Sequence, residues 1–94
     1  MAAVKLTDEQ MNAIARALAD PRRMDLLRRI ANAGDTLACE SLRCGCAVTA
    51  ATLSHHMKEL ESAGLVDSKR EGKFVKYALR RRVLEAYAAA LRQI

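Results

Sequence analysis

Aromatic residues are scarce in this chain of 94 residues, which has two tyrosines, one phenylalanine and no tryptophan. Half of the residues are hydrophobic, so the core must be built from leucine, isoleucine, valine, methionine and alanine. Such small side chains favour close helix packing over a deep cavity, which argues against a large buried ligand pocket. The length predicts a single domain over residues 1–94, of a size at which burial is just sufficient or is completed by a partner chain.

Long apolar runs are also missing. Charged residues occur within the first ten positions, and no later stretch approaches a membrane span. Cysteine is limited to Cys39, Cys44 and Cys46, an odd number that makes a poor disulfide framework and fits a reducing compartment. We therefore predict a cytoplasmic protein that has no contact with a membrane.

The patterns of catalytic sites are absent as well. The sequence shows no paired-carboxylate site, no glycine-rich phosphate loop after a strand and no serine-histidine-aspartate arrangement. His55 and His56 are adjacent, and in a helix they point about 100° apart, so that helix cannot offer both to one metal ion. We predict that the protein is not an enzyme and has no cofactor.

What the sequence does have is positive charge concentrated in one segment. The formal net charge is +5, and residues 65–82 alone carry seven basic and two acidic side chains, so the rest of the chain sums to zero. A basic stripe of this kind is typical of proteins that bind duplex nucleic acid. The alternative is that these cations only solubilise an exposed hairpin or protect an edge strand.

Helix signals fill the first half of the chain. Thr7 and Gln10 form a capping box for a first helix, and Asp20-Pro21 supplies the cap and first residue of a second helix that ends near Asn32. Gly34 lies where a left-handed stop is expected. We expect the first helix to bury Met11, Ile14, Ala15 and Leu18, and the second to bury Met24, Leu26, Leu27, Ile30 and Ala31.

A helix-turn-helix pattern follows. Residues 37–42 predict a short third helix capped by Asp35 or Thr36, and Thr49 caps a fourth helix over residues 49–63. The apolar face of this fourth helix comprises Leu53, Met57 and Leu60, with His56 half-buried on its flank. Its opposite face is polar and small, comprising Ala51, His55, Lys58 and Ser62, flanked by Thr52 and Ser54. A helix with such a face can approach base edges in a major groove, although an ordinary surface helix would look similar.

A basic hairpin comes next, with Gly72 at its tip and Lys69, Arg70 and Lys73 around it. The last helix follows Arg82 and is more apolar than a monomer needs, with Val83, Leu84, Tyr87, Ala88 and Leu91 on one broad face. Together with the first helix it could pair with a second copy of the chain. Alternatively, it folds back on its own core.

Four motifs in this order resemble the winged helix-turn-helix domain of the ArsR family of bacterial transcriptional repressors. They are Ala19-Asp20-Pro21-Arg22-Arg23, residues 53–60, Ala63-Gly64-Leu65-Val66 and Arg70-Glu71-Gly72-Lys73. The resemblance implies an α+β, mainly α fold with a two-stranded β wing and terminal helices that form a dimer interface. It also implies a homodimeric repressor that binds a two-fold operator in double-stranded DNA.

The predicted sites follow from that resemblance together with the polar face and the charge map. The DNA-binding set is Thr49, Ala51, Thr52, Ser54, His55, Lys58, Lys69, Arg70 and Lys73. The dimer-interface set is Met11, Ile14, Leu18, Leu84, Tyr87 and Leu91.

Two alternatives stay open at this stage. Many ArsR relatives sense metals through a Cys-x-Cys pair in the third helix, but the matching positions here are Ala38 and Glu40, and the last helix has no Asp, His or Cys ligand. Cys39, Cys44 and Cys46 could instead share a soft ion or act as a thiol redox sensor, although packing is the preferred interpretation. The second alternative is a winged-helix protein-interaction module that does not read DNA.

Overall fold

The computed structural model describes residues 4–44 and 48–94. In chain order the elements are α1 (Asp8–Leu18), α2 (Pro21–Asn32), β1 (Thr36–Ala38), α3 (Cys39–Arg43), α4 (Ala50–Ser62), β2 (Val66–Glu71), β3 (Phe74–Leu79) and α5 (Arg81–Arg92). The helix-turn-helix prediction, with α3 and α4 as its two helices, is confirmed, as is the mainly helical winged fold.

Three predicted helix caps are present. The side chain of Thr7 accepts a hydrogen bond from the Gln10 amide while the Gln10 side chain accepts one from the Thr7 amide, which completes the capping box. Asp20 and Thr49 cap α2 and α4 in the same way, through bonds from the amides of Arg22 and Thr52. These side chains fix where each helix begins, and therefore which residues each helix exposes.

The prediction for residues 36–38 is wrong in one respect, because they form strand β1 and the helix begins only at Cys39. Gly34 and Asp35 both have left-handed backbone conformations, with φ of 80° and 70°. The turn they make brings the chain beside β3, where the Leu79 amide donates to the Asp35 carbonyl oxygen at 2.8 Å. The sheet therefore has three antiparallel strands in the order β1-β3-β2, and the predicted two-stranded wing is its outer part.

The core contains aliphatic side chains from every helix and from strands β2 and β3. Its fully buried members are Ile14, Ile30, Leu42, Leu53, Met57, Leu60, Leu65 and Val66. Two expectations for this core are wrong. In α1 the buried alanine is Ala17, one helical turn from Ile14, whereas Ala15 is exposed; in α2 Met24 is 38% exposed because Leu26, Leu27 and Ile30 occupy the inward face.

The helices described here include none that is long and apolar enough to cross a membrane.

Candidate nucleic-acid interface

Helix α4 presents the polar face that the sequence predicts. Leu53, Met57 and Leu60 are at most 1% exposed, which fixes the rotation of the helix. The outward positions Ala51, Ser54, His55 and Lys58 are exposed, and Thr52 is half-buried. At the start of the helix the Thr49 hydroxyl donates to Thr52 Oγ1 at 2.9 Å, so both hydroxyls are already ordered at the end that a helix-turn-helix protein directs into the groove.

Arg29 holds the turn that leads to α4. Its guanidinium, on α2, donates to the carbonyl oxygens of Leu42, Ser41 and Cys44 at 2.9, 2.8 and 2.8 Å. These carbonyls lie at the C-terminal end of α3, where helices leave acceptors unsatisfied and where a cation is favourable. The sequence analysis left Arg29 in solvent, because the acceptors come from a segment more than ten residues away.

The wing carries the predicted cations on its surface. Lys69 and Arg70 lie on β2 and Lys73 lies in the turn, and all three are exposed. Lys73 Nζ lies 5.6 Å from the centre of the Phe74 ring, and that ring is itself 53% exposed. In the strand register Lys69 pairs with Lys76, which adds one more positive charge beside the predicted set.

A notch of about 390 Å³ separates α4 from the wing. It brings together Ser54, Lys58 and Arg70 from the predicted set and adds Arg43, the last residue of α3. The sequence analysis missed Arg43 because nothing in its own segment shows which way the end of α3 points. A cation immediately before the turn of a helix-turn-helix was the one signal that could have indicated it.

Two polar contacts fix the wing and α5 relative to the helices. Ser68 Oγ donates to Glu61 Oε1 at 2.7 Å and so joins the wing to the end of α4. Arg81, at the start of α5, forms a bidentate pair with Asp35, with both distances 2.7 Å. The Arg81 hydrogen bonds hold the pKa of Asp35 below its ordinary value.

His56 lies beneath the interface and has an unusual environment. It is 3% exposed, and neither ring nitrogen has a hydrogen-bond partner among the described residues. The charged and titratable groups around it are Asp20, Arg22, Arg23 and His55. Burial lowers the pKa of His56, so the folded chain keeps its imidazole neutral.

This environment predicts a loss of stability in acid. Because the folded pKa of His56 is lowered, the unfolded chain binds the extra proton as the pH falls through about 6.5, and stability decreases from there downwards, by at most about 1.4 kcal/mol per pH unit for one proton. His56→Leu removes this dependence, and at pH 7 it should stabilise the chain by about 1 kcal/mol, because two unsatisfied nitrogens leave the core. Urea unfolding between pH 5 and 8 measures both effects.

The matched control is His55→Leu, because that side chain is exposed on the same helix. It should leave the pH dependence unchanged. Equal slopes for the native chain and His56→Leu would contradict the assignment.

The cysteine alternative is only partly accessible to the structure. Cys39 is half-buried and packs beside the core, and Cys44 is exposed; both are free thiols. Cys46 lies outside the described residues. Over residues 4–44 and 48–94, no group of three His, Cys, Asp or Glu side chains is placed to hold a metal ion.

The predicted dimer surface needs one correction. Ile14 is 0% exposed within a single chain, because it packs in that chain's own core, and so it is not available to a partner. Met11, Leu18, Leu84 and Tyr87 are half-buried, and Leu91 is 46% exposed. A groove between residues 4–6 and α5 adds apolar surface from Val4, Leu6, Ala86 and Ala89, which the sequence analysis did not include.

Comparison with known proteins agrees with this geometry. A protein family described as a helix-turn-helix domain matches residues 18–69, which run from the end of α1 into the wing. The chain belongs to this helix-turn-helix domain family. The match includes α3, the turn and all of α4, the elements that form the polar face.

Individual relatives extend the match over most of the regulator. The uncharacterized HTH-type transcriptional regulator YceK of Bacillus subtilis is 29% identical over 89% of this chain and 85% of its own. An ArsR-family transcriptional regulator of known structure has a TM-score of 0.83 at 24% identity, with 96% and 91% of the two chains covered. These likenesses confirm the resemblance to the ArsR family and identify a DNA-binding transcriptional regulator.

A third similar protein bears on assembly. The solution structure of Mb0332 from Mycobacterium bovis, described as a homodimeric winged helix-turn-helix DNA-binding domain and a possible ArsR-family regulator, has a TM-score of 0.73 at 25% identity. It covers 94% of this chain and 86% of that one.

Proposed function

We propose that residues 1–94 form one domain that acts in the cytoplasm as a homodimeric repressor and binds a two-fold operator in double-stranded DNA. The observation that carries the proposal is the small, exposed polar face of α4 beside a wing whose cations face solvent. Catalysis has no part in this function.

In the proposed complex α4 enters the major groove. Ala51, Thr52, Ser54 and His55 lie nearest the base edges, and the Thr49 hydroxyl and Lys58 ammonium contact the backbone. Lys69, Arg70 and Lys73 contact the phosphates or minor groove beside them. Base contacts set the sequence preference, and phosphate contacts supply most of the salt-dependent affinity.

Dimerisation is supported by the distribution of exposed apolar side chains. The large hydrophobic side chains with the most exposure include Val4, Leu91 and Ile94, all at the end of the molecule formed by residues 4–6 and α5. A small monomer rarely leaves contiguous apolar surface in water. The homodimeric state of Mb0332 agrees with a partner at this surface.

The α4 side chains can be tested individually. His55→Ala should weaken binding to the preferred duplex by about 1 to 3 kcal/mol and have little effect on random DNA, if the imidazole bonds a base edge. Fluorescence anisotropy with both duplexes at one salt concentration measures the difference.

Glu59→Ala, also on the exposed side of α4, is the control for a general effect of altering the helix surface. It should not reduce affinity for either duplex. Equal losses on both duplexes for His55→Ala would assign this residue to the backbone instead.

A further inference from the structure

We propose that the notch formed by Arg43, Lys58 and Arg70 is the seat of one DNA backbone phosphate, held jointly by α3, α4 and the wing. This inference rests on the proposed function and adds Arg43 to the interface. It also changes how Lys58 and Arg70 act, since they share one phosphate instead of binding one each.

The first observation is the convergence of three cations from three elements on one notch. Arg43 ends α3, Lys58 lies on α4 and Arg70 lies on β2. Like charges gathered in this way repel one another, and an anion placed between them removes that cost. The Ser54 hydroxyl lines the same notch and can donate to an oxyanion.

The second observation is that these cations are not neutralised. In the part of the chain that the structure describes, Arg43, Lys58 and Arg70 form no ion pair and no hydrogen bond. Other arginines do have acidic partners: Arg22 and Arg23 pair with Asp20, Arg80 with Asp67, and Arg81 with Asp35.

The one acidic side chain in the notch is already engaged. Glu61 accepts the hydrogen bond from Ser68 at 2.7 Å, which ties α4 to the wing. The notch is therefore net positive, and its two main walls are fixed relative to each other.

The third observation is the position of the notch. Ser54 and Lys58 form one wall, on the same helix as the predicted base-reading residues, and Arg70 lies on the wing. In a helix-turn-helix the first helix crosses the DNA backbone, and Arg43 is the last residue of that helix here. A duplex that places a groove on α4 therefore brings a phosphate to this notch, which favours a DNA phosphate over a free anion as the occupant.

The test is a double-mutant cycle on duplex binding, measured at several salt concentrations. Arg43→Ala should weaken binding about tenfold, and Arg43→Lys should recover part of the loss. Arg28→Ala removes the same charge from an exposed site on α2 and should change affinity less than twofold. Equal losses for Arg43→Ala and Arg28→Ala would overturn the notch while leaving the proposed function in place.

Sharing of one phosphate has its own signature. Each lost phosphate changes the logarithmic salt slope by about 0.9, so a dimer of the Arg43→Ala/Arg70→Ala chain should lose about two units of slope, and its loss of affinity should be smaller than the product of the single losses. A loss near four units with multiplicative affinities would mean that the two arginines bind separate phosphates, and would contradict the shared seat.

The source of the phosphate can be separated by two further arms. A neutral methylphosphonate at the contacted linkage should weaken native binding and have no effect on Arg43→Ala. Inorganic phosphate should compete no better than chloride at equal ionic strength; specific competition that disappears in Arg43→Ala would instead assign the notch to a free anion. If the native protein shows no salt-dependent duplex binding, the proposed function fails and the notch fails with it.

Discussion

Replacing Lys69, Arg70 and Lys73 together with alanine is expected to weaken binding to every duplex by at least a hundredfold at moderate salt. These wing cations are exposed and lie next to the turn of the hairpin, where they can reach phosphates beyond the groove that α4 occupies. A dimer loses six cations in this variant, and because each phosphate contact contributes about 0.9 to the logarithmic salt slope, the slope should fall by roughly four units. Affinity measured from 50 to 200 mM salt gives both values.

The sequence preference of this wing variant should survive, because base contacts come from α4. The control is Arg16→Ala/Arg28→Ala, which removes exposed cations from α1 and α2. Its slope should stay close to that of the native protein. An unchanged slope in the wing variant would remove the wing from the interface.

Leu91→Glu is expected to produce a folded monomer that has lost most of its affinity for the two-fold operator. Leu91 is 46% exposed on α5, so a charge there is compatible with the folded chain but places a carboxylate in the proposed apolar interface. Two linked half-sites bind 10² to 10⁴ times more tightly than one, so a comparable loss should follow dissociation of the dimer. Sedimentation and operator titration of the same preparation test both statements.

Met24→Glu is the matched control, because Met24 is 38% exposed on α2, away from α5. It should remain dimeric. A native protein that sediments as a monomer at micromolar concentration would contradict the interface and the half-site arrangement with it.

Local signals made much of the fold predictable. The Thr7, Asp20 and Thr49 caps depend on side chains within three residues of the amides they bond, so the sequence already contains both partners. The alternation of buried and exposed positions in α4 follows from its period in the same way. The caps and the helical period are therefore confirmed where the prediction needed only neighbouring residues.

Partners distant in the sequence account for the errors. Strand β1 exists because Thr36, Leu37 and Ala38 pair with β3, forty residues later along the chain in round terms, and no neighbouring residue indicates this. Ile14 satisfies the helical pattern of an apolar face, but whether that face meets its own core or a partner depends on how α1 packs. The contacts of Arg29 and the position of Arg43 in the notch are tertiary for the same reason.

The predicted DNA-binding residues illustrate the same division. Exposure of Ala51, Ser54, His55 and Lys58 follows from the pattern of α4. That Ser54, Lys58 and Arg70 share a notch depends on the Glu61–Ser68 bond and the packing of the wing on α4, which the linear charge map does not contain.

Selection of bound sequences from random duplex DNA, using the native protein, tests the central claim most directly. A homodimer that inserts α4 into successive major grooves should enrich an inverted repeat whose half-site centres lie about 10 base pairs, or one helical turn, apart. Enrichment of no sequence over the input, or of a single site without two-fold symmetry, would contradict the account.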